Sequence, residues 1–172
     1  MKSYPLAMII LHWLLAPIIL LALFMGNDIA QLSNDLDLKV DRLEVHMAVG
    51  IGIGMLFVIR LVIKLASVRQ PIPEKGNKLL AKAATWAHNS IYILVFGVVI
   101  SGMAIAAQVD MPSIIIHGYI MPQGLSDLPV RIVHGILTKL LLFVVALHIS
   151  AAFYHQFVLR DGLLSKMWLS KE

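Results

Sequence analysis

The chain has 172 residues, 59% of them hydrophobic and 14% charged, with a formal net charge of +4. That composition, with a mean hydropathy of +0.86, belongs to a membrane protein rather than a soluble domain. Cysteine is absent, which excludes disulfides, thiolate metal sites and Cys-ligated iron–sulfur clusters, and the modest basic excess needs no nucleic acid to explain it.

A hydrocarbon layer about 30 Å thick takes roughly 20 apolar helical residues to cross. Stretches at about residues 6–25, 45–65, 79–106 and 130–158 meet that requirement. They predict an all-α, transmembrane four-helix bundle, a single integral membrane domain over residues 1–172. The first span contains His12 and, beyond it, Pro17. Its apolar core is too long for a secretory signal and no small-residue cleavage site follows it, so it reads as retained. A polar, acidic link, "NDIAQLSNDLDLK", leads to the second span.

The second span opens with His46 and continues through "VGIGIGM" to Arg60. Gly50 and Gly54 form a small-xxx-small pair, which suits close helix packing or a flat group lying on bare backbone. The following link, "ASVRQPIPEKGNK", is basic and proline-bearing and reads as a turn. The third span carries His88 near its start. Residues from Gln108 to Pro129, with His117, have only a short apolar core and are expected at the outer membrane surface. The fourth span, "HGILTKLLLFVVALH", has a histidine at each end, His134 and His148, and His155 follows.

Lys and Arg gather on the side that holds both termini; only Lys39, Arg42, Arg131 and Lys139 fall on the other, where most of the acids lie. The positive-inside rule therefore places both termini in the cytoplasm.

Histidines inside apolar spans are costly and need partners. His46 and His134 each open a span from the outer side and can meet. His148 lies 14 residues past His134, so about 21 Å deeper and only about 40° round the helix. His12 is at a matching depth, as is His88; spacing alone lets either oppose His148, and His88 can equally be a hydrogen-bonded packing residue. Two stacked imidazole pairs suit two b-type haems, each with one axial ligand above and one below the iron. Arg131 and Arg42 lie near the outer pair, and Arg60 near the inner one. Each is a candidate partner for a haem propionate, with snorkelling to the surface the plainer reading of Arg60. A bare metal site wants three or four ligands at one point, which this split does not offer. His155 is about 10 Å below His148, too far to share its iron, and suits a quinone carbonyl or the interface.

The segments "ILHWLLAP", "EVHMAVGIGIGMLFVIRLVIK", "AHNSIYILVFGVVISGM" and "RIVHGILTKLLLFVVALHISAAFYH" resemble the bacterial cytochrome b561 family, related to the cytochrome b subunits of nickel hydrogenases. The short stand-alone form is similar to its superoxide oxidase branch. The resemblance implies a dihaem protein of the bacterial inner membrane. It implies that His12 and His148 ligate the cytoplasmic-side haem and His46 and His134 the periplasmic-side haem. It further implies ubiquinone as acceptor, with His155 at the position associated with quinone, and superoxide as the periplasmic donor. The alternative is an anchoring cytochrome subunit relaying electrons between a partner dehydrogenase or hydrogenase and the quinone pool; a third reading is a non-redox four-helix transporter.

Overall fold

The computed structural model describes residues 5–34, 37–67, 78–162 and 164–168, with side chains omitted at 78–81, 165 and 166. The helices are α1 (Leu6–Gln31), α2 (Asp37–Ala66), α3 (Lys78–Gln108), α4 (Met111–His117) and α5 (Pro129–Phe153). A 3₁₀ turn at Leu125–Asp127 precedes α5, and a π turn at Tyr154–Leu159 and a 3₁₀ turn at Leu164–Met167 follow it. Among the described residues there are no strands. Membrane-length apolar helices run at Leu6–Gln31, Asp37–Ala66, Lys82–Gln108 and Pro129–Leu159.

These helices overrun the apolar stretches that reveal them, because hydropathy marks only the part that sits in hydrocarbon. The second begins at Asp37 rather than near residue 45. Its first turn is fastened by Lys39, which is buried and donates to Leu32 O and Asn34 Oδ1, both at 2.7 Å. The basic link at residues 68–77 lies outside the described residues.

The bundle is two helix pairs, α1 with α2 and α3 with α5, joined chiefly along α2 and α3; α1 and α5 scarcely touch. Small residues let the pairs close. A Cβ on Gly97 would stand 3.3 Å from Leu137, and one on Gly54 would stand 3.0 Å from Val99. Gly54 is thus a packing glycine between α2 and α3, whereas nothing lies within 4 Å of a Cβ on Gly50.

The core is a layer across the middle of the bundle, built from Leu15, Ile19 and Ala22 of α1, Ile53 and Phe57 of α2, Val95 of α3 and Leu141 of α5. Phe57 meets Tyr92 and Phe96 edge-on, at 5.3 and 6.3 Å between centroids. Leu141 falls midway between His134 and His148, and Ile53 midway between His46 and Arg60. The polar groups therefore lie above and below this layer.

A second cluster caps the other end. Met111, Ile114, Met121 and Leu125 pack on Val40, Leu43, Met47 and Ile105. The segment expected at the membrane surface thus buries one side on the bundle, while Ile116, Tyr119 and Ile120 stay exposed.

Crowding at Gly54 gives a stability prediction. Gly54→Ala is expected to destabilise the protein by about 1–3 kcal/mol through overpacking against Val99, and Gly54→Ala with Val99→Ala to recover most of the loss. Thermal unfolding in detergent checks this, and a Gly54→Ala protein as stable as the parent contradicts it.

Candidate functional site

At the level beyond the core layer nearer α4, the imidazoles of His46 on α2 and His134 on α5 sit against bare backbone. A Cβ on Gly26 of α1 would come within 3.0 Å of His46 Cε1, and one on Gly102 of α3 within 3.2 Å of His134 Cε1. His134 Nδ1 lies 3.1 Å from Val98 O and 3.0 Å from Ser101 Oγ. The Ser101 hydroxyl donates to Gly97 O at 2.7 Å. A carbonyl only accepts, so Nδ1 carries the proton and Nε2 keeps its lone pair; a metal-binding histidine is commonly oriented this way. His46 Nδ1 is buried and has no hydrogen-bond partner among the described residues. Leaving such a group unsatisfied costs about 1–3 kcal/mol.

Arg131 lies within electrostatic range of both imidazoles, folded over Gly135. Arg42 instead ion-pairs with Asp28, tying the ends of α1 and α2 together. His117 stays apart at the C-terminal end of α4 beside Tyr119, and Lys139 is exposed on α5.

On the other side of the core layer, His12 of α1, His88 of α3 and His148 of α5 face a cavity of about 890 Å³. This is large for a ligand site, for which roughly 300–1,000 Å³ is usual. Its walls are mostly apolar and include Pro17, Phe57, Tyr92, Val145 and Phe153. Proline has no N–H to give to Trp13 O, so α1 is locally looser at this wall.

The His12 and His148 ring centroids are 6.3 Å apart, with planes at 77°. Two imidazoles bonded at about 2 Å on opposite sides of one metal atom have centroids roughly 6 Å apart. The His88–His148 separation, 5.1 Å, is shorter than that. His88 is hydrogen-bonded to the backbone of Ala84. Among the described residues no three His, Asp or Glu side chains gather as a metal-binding group.

Arg60 is 8% exposed and lines this cavity. Its Nη1 donates to Met8 O at 3.1 Å. The snorkelling reading of Arg60 is therefore corrected: the carbonyl of Met8, near the start of α1, anchors the guanidinium inside the bundle.

Beneath the cavity the chain folds back. Trp13 Nε1 donates to Met167 O at 2.6 Å, Trp13 meets Trp168 edge-on at 5.8 Å, and Leu164 and Trp168 line the cavity. His155 does not line it, but its neighbour Gln156 does. His155 Nδ1 pairs instead with Asp161 Oδ2 at 2.5 Å. Sequence spacing finds the histidines but misses Ser101, Val98, Gly26, Gly102 and Asp161, because each meets its imidazole across helices or around a turn.

A family model described as prokaryotic cytochrome b561 matches residues 3–170. Among curated proteins the chain is similar to a probable superoxide oxidase CybB of Yersinia pestis, 33% identical over 132 residues, which cover 74% of this chain and 74% of that protein. No solved structure matches.

The tail contact gives a direct prediction. Trp13→Phe keeps an aromatic ring but removes the donor to Met167 O. Losing one hydrogen bond of about 0.5–1.5 kcal/mol should make tryptic cleavage after Arg160 roughly 2- to 10-fold faster. Timed digestion in detergent checks it, and an unchanged rate shows that the bond does not hold the tail.

Proposed function

The chain belongs to the prokaryotic cytochrome b561 family, a family of b-type haem membrane proteins, and from that premise we propose that it carries electrons between superoxide on the periplasmic side and ubiquinone, as a superoxide:ubiquinone oxidoreductase. The observation that carries the reading is the placement of imidazoles from different helices on both sides of an apolar layer. The likeness to a probable superoxide oxidase supports it. Both termini lie in the cytoplasm in this reading, and the protein resides in the bacterial inner membrane.

The residues present fit b-type haem. Glycine backbone flanks the outer imidazoles, one outer ring has its protonation state fixed by Val98, and the inner cavity is apolar with a buried guanidinium. When bound, a bis-imidazole haem supplies reversible one-electron chemistry at an iron with no open position. His46 and His134 would hold the periplasmic-side haem, and His12 and His148 the cytoplasmic-side one. Val98 and Ser101 set the ring of His134. Arg60, already held by Met8 O, would meet a propionate of the inner haem, and Arg131 one of the outer haem. His88 stays outside the ligand set, in edge-on ring contact with His148.

One observation favours a second reading, in which a partner dehydrogenase or hydrogenase delivers the electrons. Asp28 neutralises Arg42, so the positive field that would draw an anionic donor rests mainly on Arg131 and Lys139.

Substitution tests the ligand assignment. His134→Ala, His46→Ala, His12→Ala and His148→Ala should each halve the haem content of the purified protein, measured as the pyridine haemochrome. Gly102→Val should imitate His134→Ala, and His88→Ala should retain both haems. Full haem content in His134→Ala protein removes the outer site.

Mixing the purified protein with superoxide in a stopped-flow spectrometer tests donor and acceptor. Superoxide should reduce the haem bands at once, and a short-chain ubiquinone should then reoxidise them. Bands that ignore superoxide but respond to a co-purified protein establish the second reading.

A further inference from the structure

The π turn at Tyr154–Leu159 ends the helix that begins at Pro129. Such turns are rare and frequent at functional sites. Here it is followed by Arg160 at φ +50° and Gly162 at φ +69°, left-handed backbone that is uncommon for a residue with a side chain. Together they reverse the chain and bring Asp161 onto His155. Residues six apart on a straight α-helix lie about 120° apart around the axis, so the pair exists because of the wide turn and the reversal.

The geometry assigns chemistry to the pair. The carboxylate only accepts, so His155 Nδ1, at 2.5 Å from Asp161 Oδ2, carries a proton and Nε2 is the working nitrogen. The Asp161 side chain is 39% exposed and that of His155 20%, so the carboxylate is the more water-accessible of the two. Gln156 lines both the large cavity and a recess of about 390 Å³ completed by Phe157, Arg160 and Gly162. Among the described residues, the ionisable groups that flank the imidazole are Asp161, Tyr154 at 6.3 Å between ring centroids, and Arg160, whose Nε donates to Phe157 O.

We propose that Asp161 is a positioning residue for proton delivery, holding His155 so that Nε2 passes protons to a quinone head group lodged in the recess beside Gln156. This rests on the quinone-reducing function proposed above and adds its proton path. Two superoxide anions give up two electrons and leave as dioxygen; the quinone takes those electrons and two protons to become the quinol. At each proton transfer the N–H bond at Nε2 breaks as an O–H bond forms on the quinone oxygen. The ring, left neutral with Nδ1–H on Asp161, recovers its proton at Nε2 from water between transfers. Gln156 and Arg160 supply N–H donors to the quinone carbonyls.

The test compares wild-type holoprotein with Asp161→Asn, Asp161→Glu and His155→Gln. Each is reduced by dithionite and mixed with a short-chain ubiquinone from pH 5.5 to 8.5. Asp161→Asn should keep wild-type haem spectra but reoxidise about 10- to 100-fold more slowly, the scale seen when the partner orienting a histidine is lost. It should also change the shape of the pH profile, which a merely structural role does not do. Asp161→Glu should restore much of the rate, and Asp161→Asn with His155→Gln should be no slower than His155→Gln alone. Nitrogen-15 NMR of histidine-labelled protein should show Nδ1 protonation of His155 in the wild type and a mixture of tautomers in Asp161→Asn. An Asp161→Asn protein with the wild-type rate and profile, or with unchanged His155 signals, overturns the inference. Wild-type protein that no quinone reoxidises overturns the quinone reading itself, so the two failures are distinct.

Discussion

The structure is governed by the demands of an imidazole placed among apolar helices. Its N–H and lone pair cannot turn to bulk water, so each must find a partner inside the bundle. Most of the distinctive features answer that demand. Val98 takes the N–H of His134, Ala84 partners His88, and the glycines at 26 and 102 leave space for ring edges where any Cβ would intrude.

Helix number and approximate position were readable from hydropathy alone, because twenty apolar residues in a row have few other uses. The histidine levels were readable too, since a separation of fourteen residues along α5 fixes both depth and face. What spacing could not supply is the rotation of one helix about another. Whether His12 or His88 stands at 6.3 Å from His148 depends on that rotation. So does Arg60, whose long stem could equally have reached the surface; the carbonyl that anchors it belongs to Met8, far away in sequence. Asp161 lies close to His155 in the chain, but the π turn that joins them has no pattern in hydropathy. The early start of α2 was hidden because its first turns leave hydrocarbon, and Lys39 became a buried tie rather than part of a link.

Family membership and site geometry bear on different parts of the reading. The match over residues 3–170 brings b-type haem and electron transfer. The geometry brings the division of labour: imidazoles above, imidazoles below, and a guanidinium that stays with the lower set. The charge arrangement bears on the donor. An aspartate facing Arg42 at the mouth of α1 and α2 lowers the local positive potential there, so delivery of the proposed anionic donor would rely on the helix that carries His134 itself.

The apolar layer of Leu15, Ile19, Ile53, Phe57, Val95 and Leu141 has a further consequence in an energised membrane. It separates the histidine levels by about 21 Å of a hydrocarbon core about 30 Å thick. An electron moving inward through that layer carries charge against an interior-negative voltage with nothing travelling alongside it. The work is about 1.6 kcal/mol per 100 mV, in proportion to the depth crossed. If electrons flow inward as proposed, turnover in a polarised cell would be braked by the potential across the membrane, and released when that potential collapses.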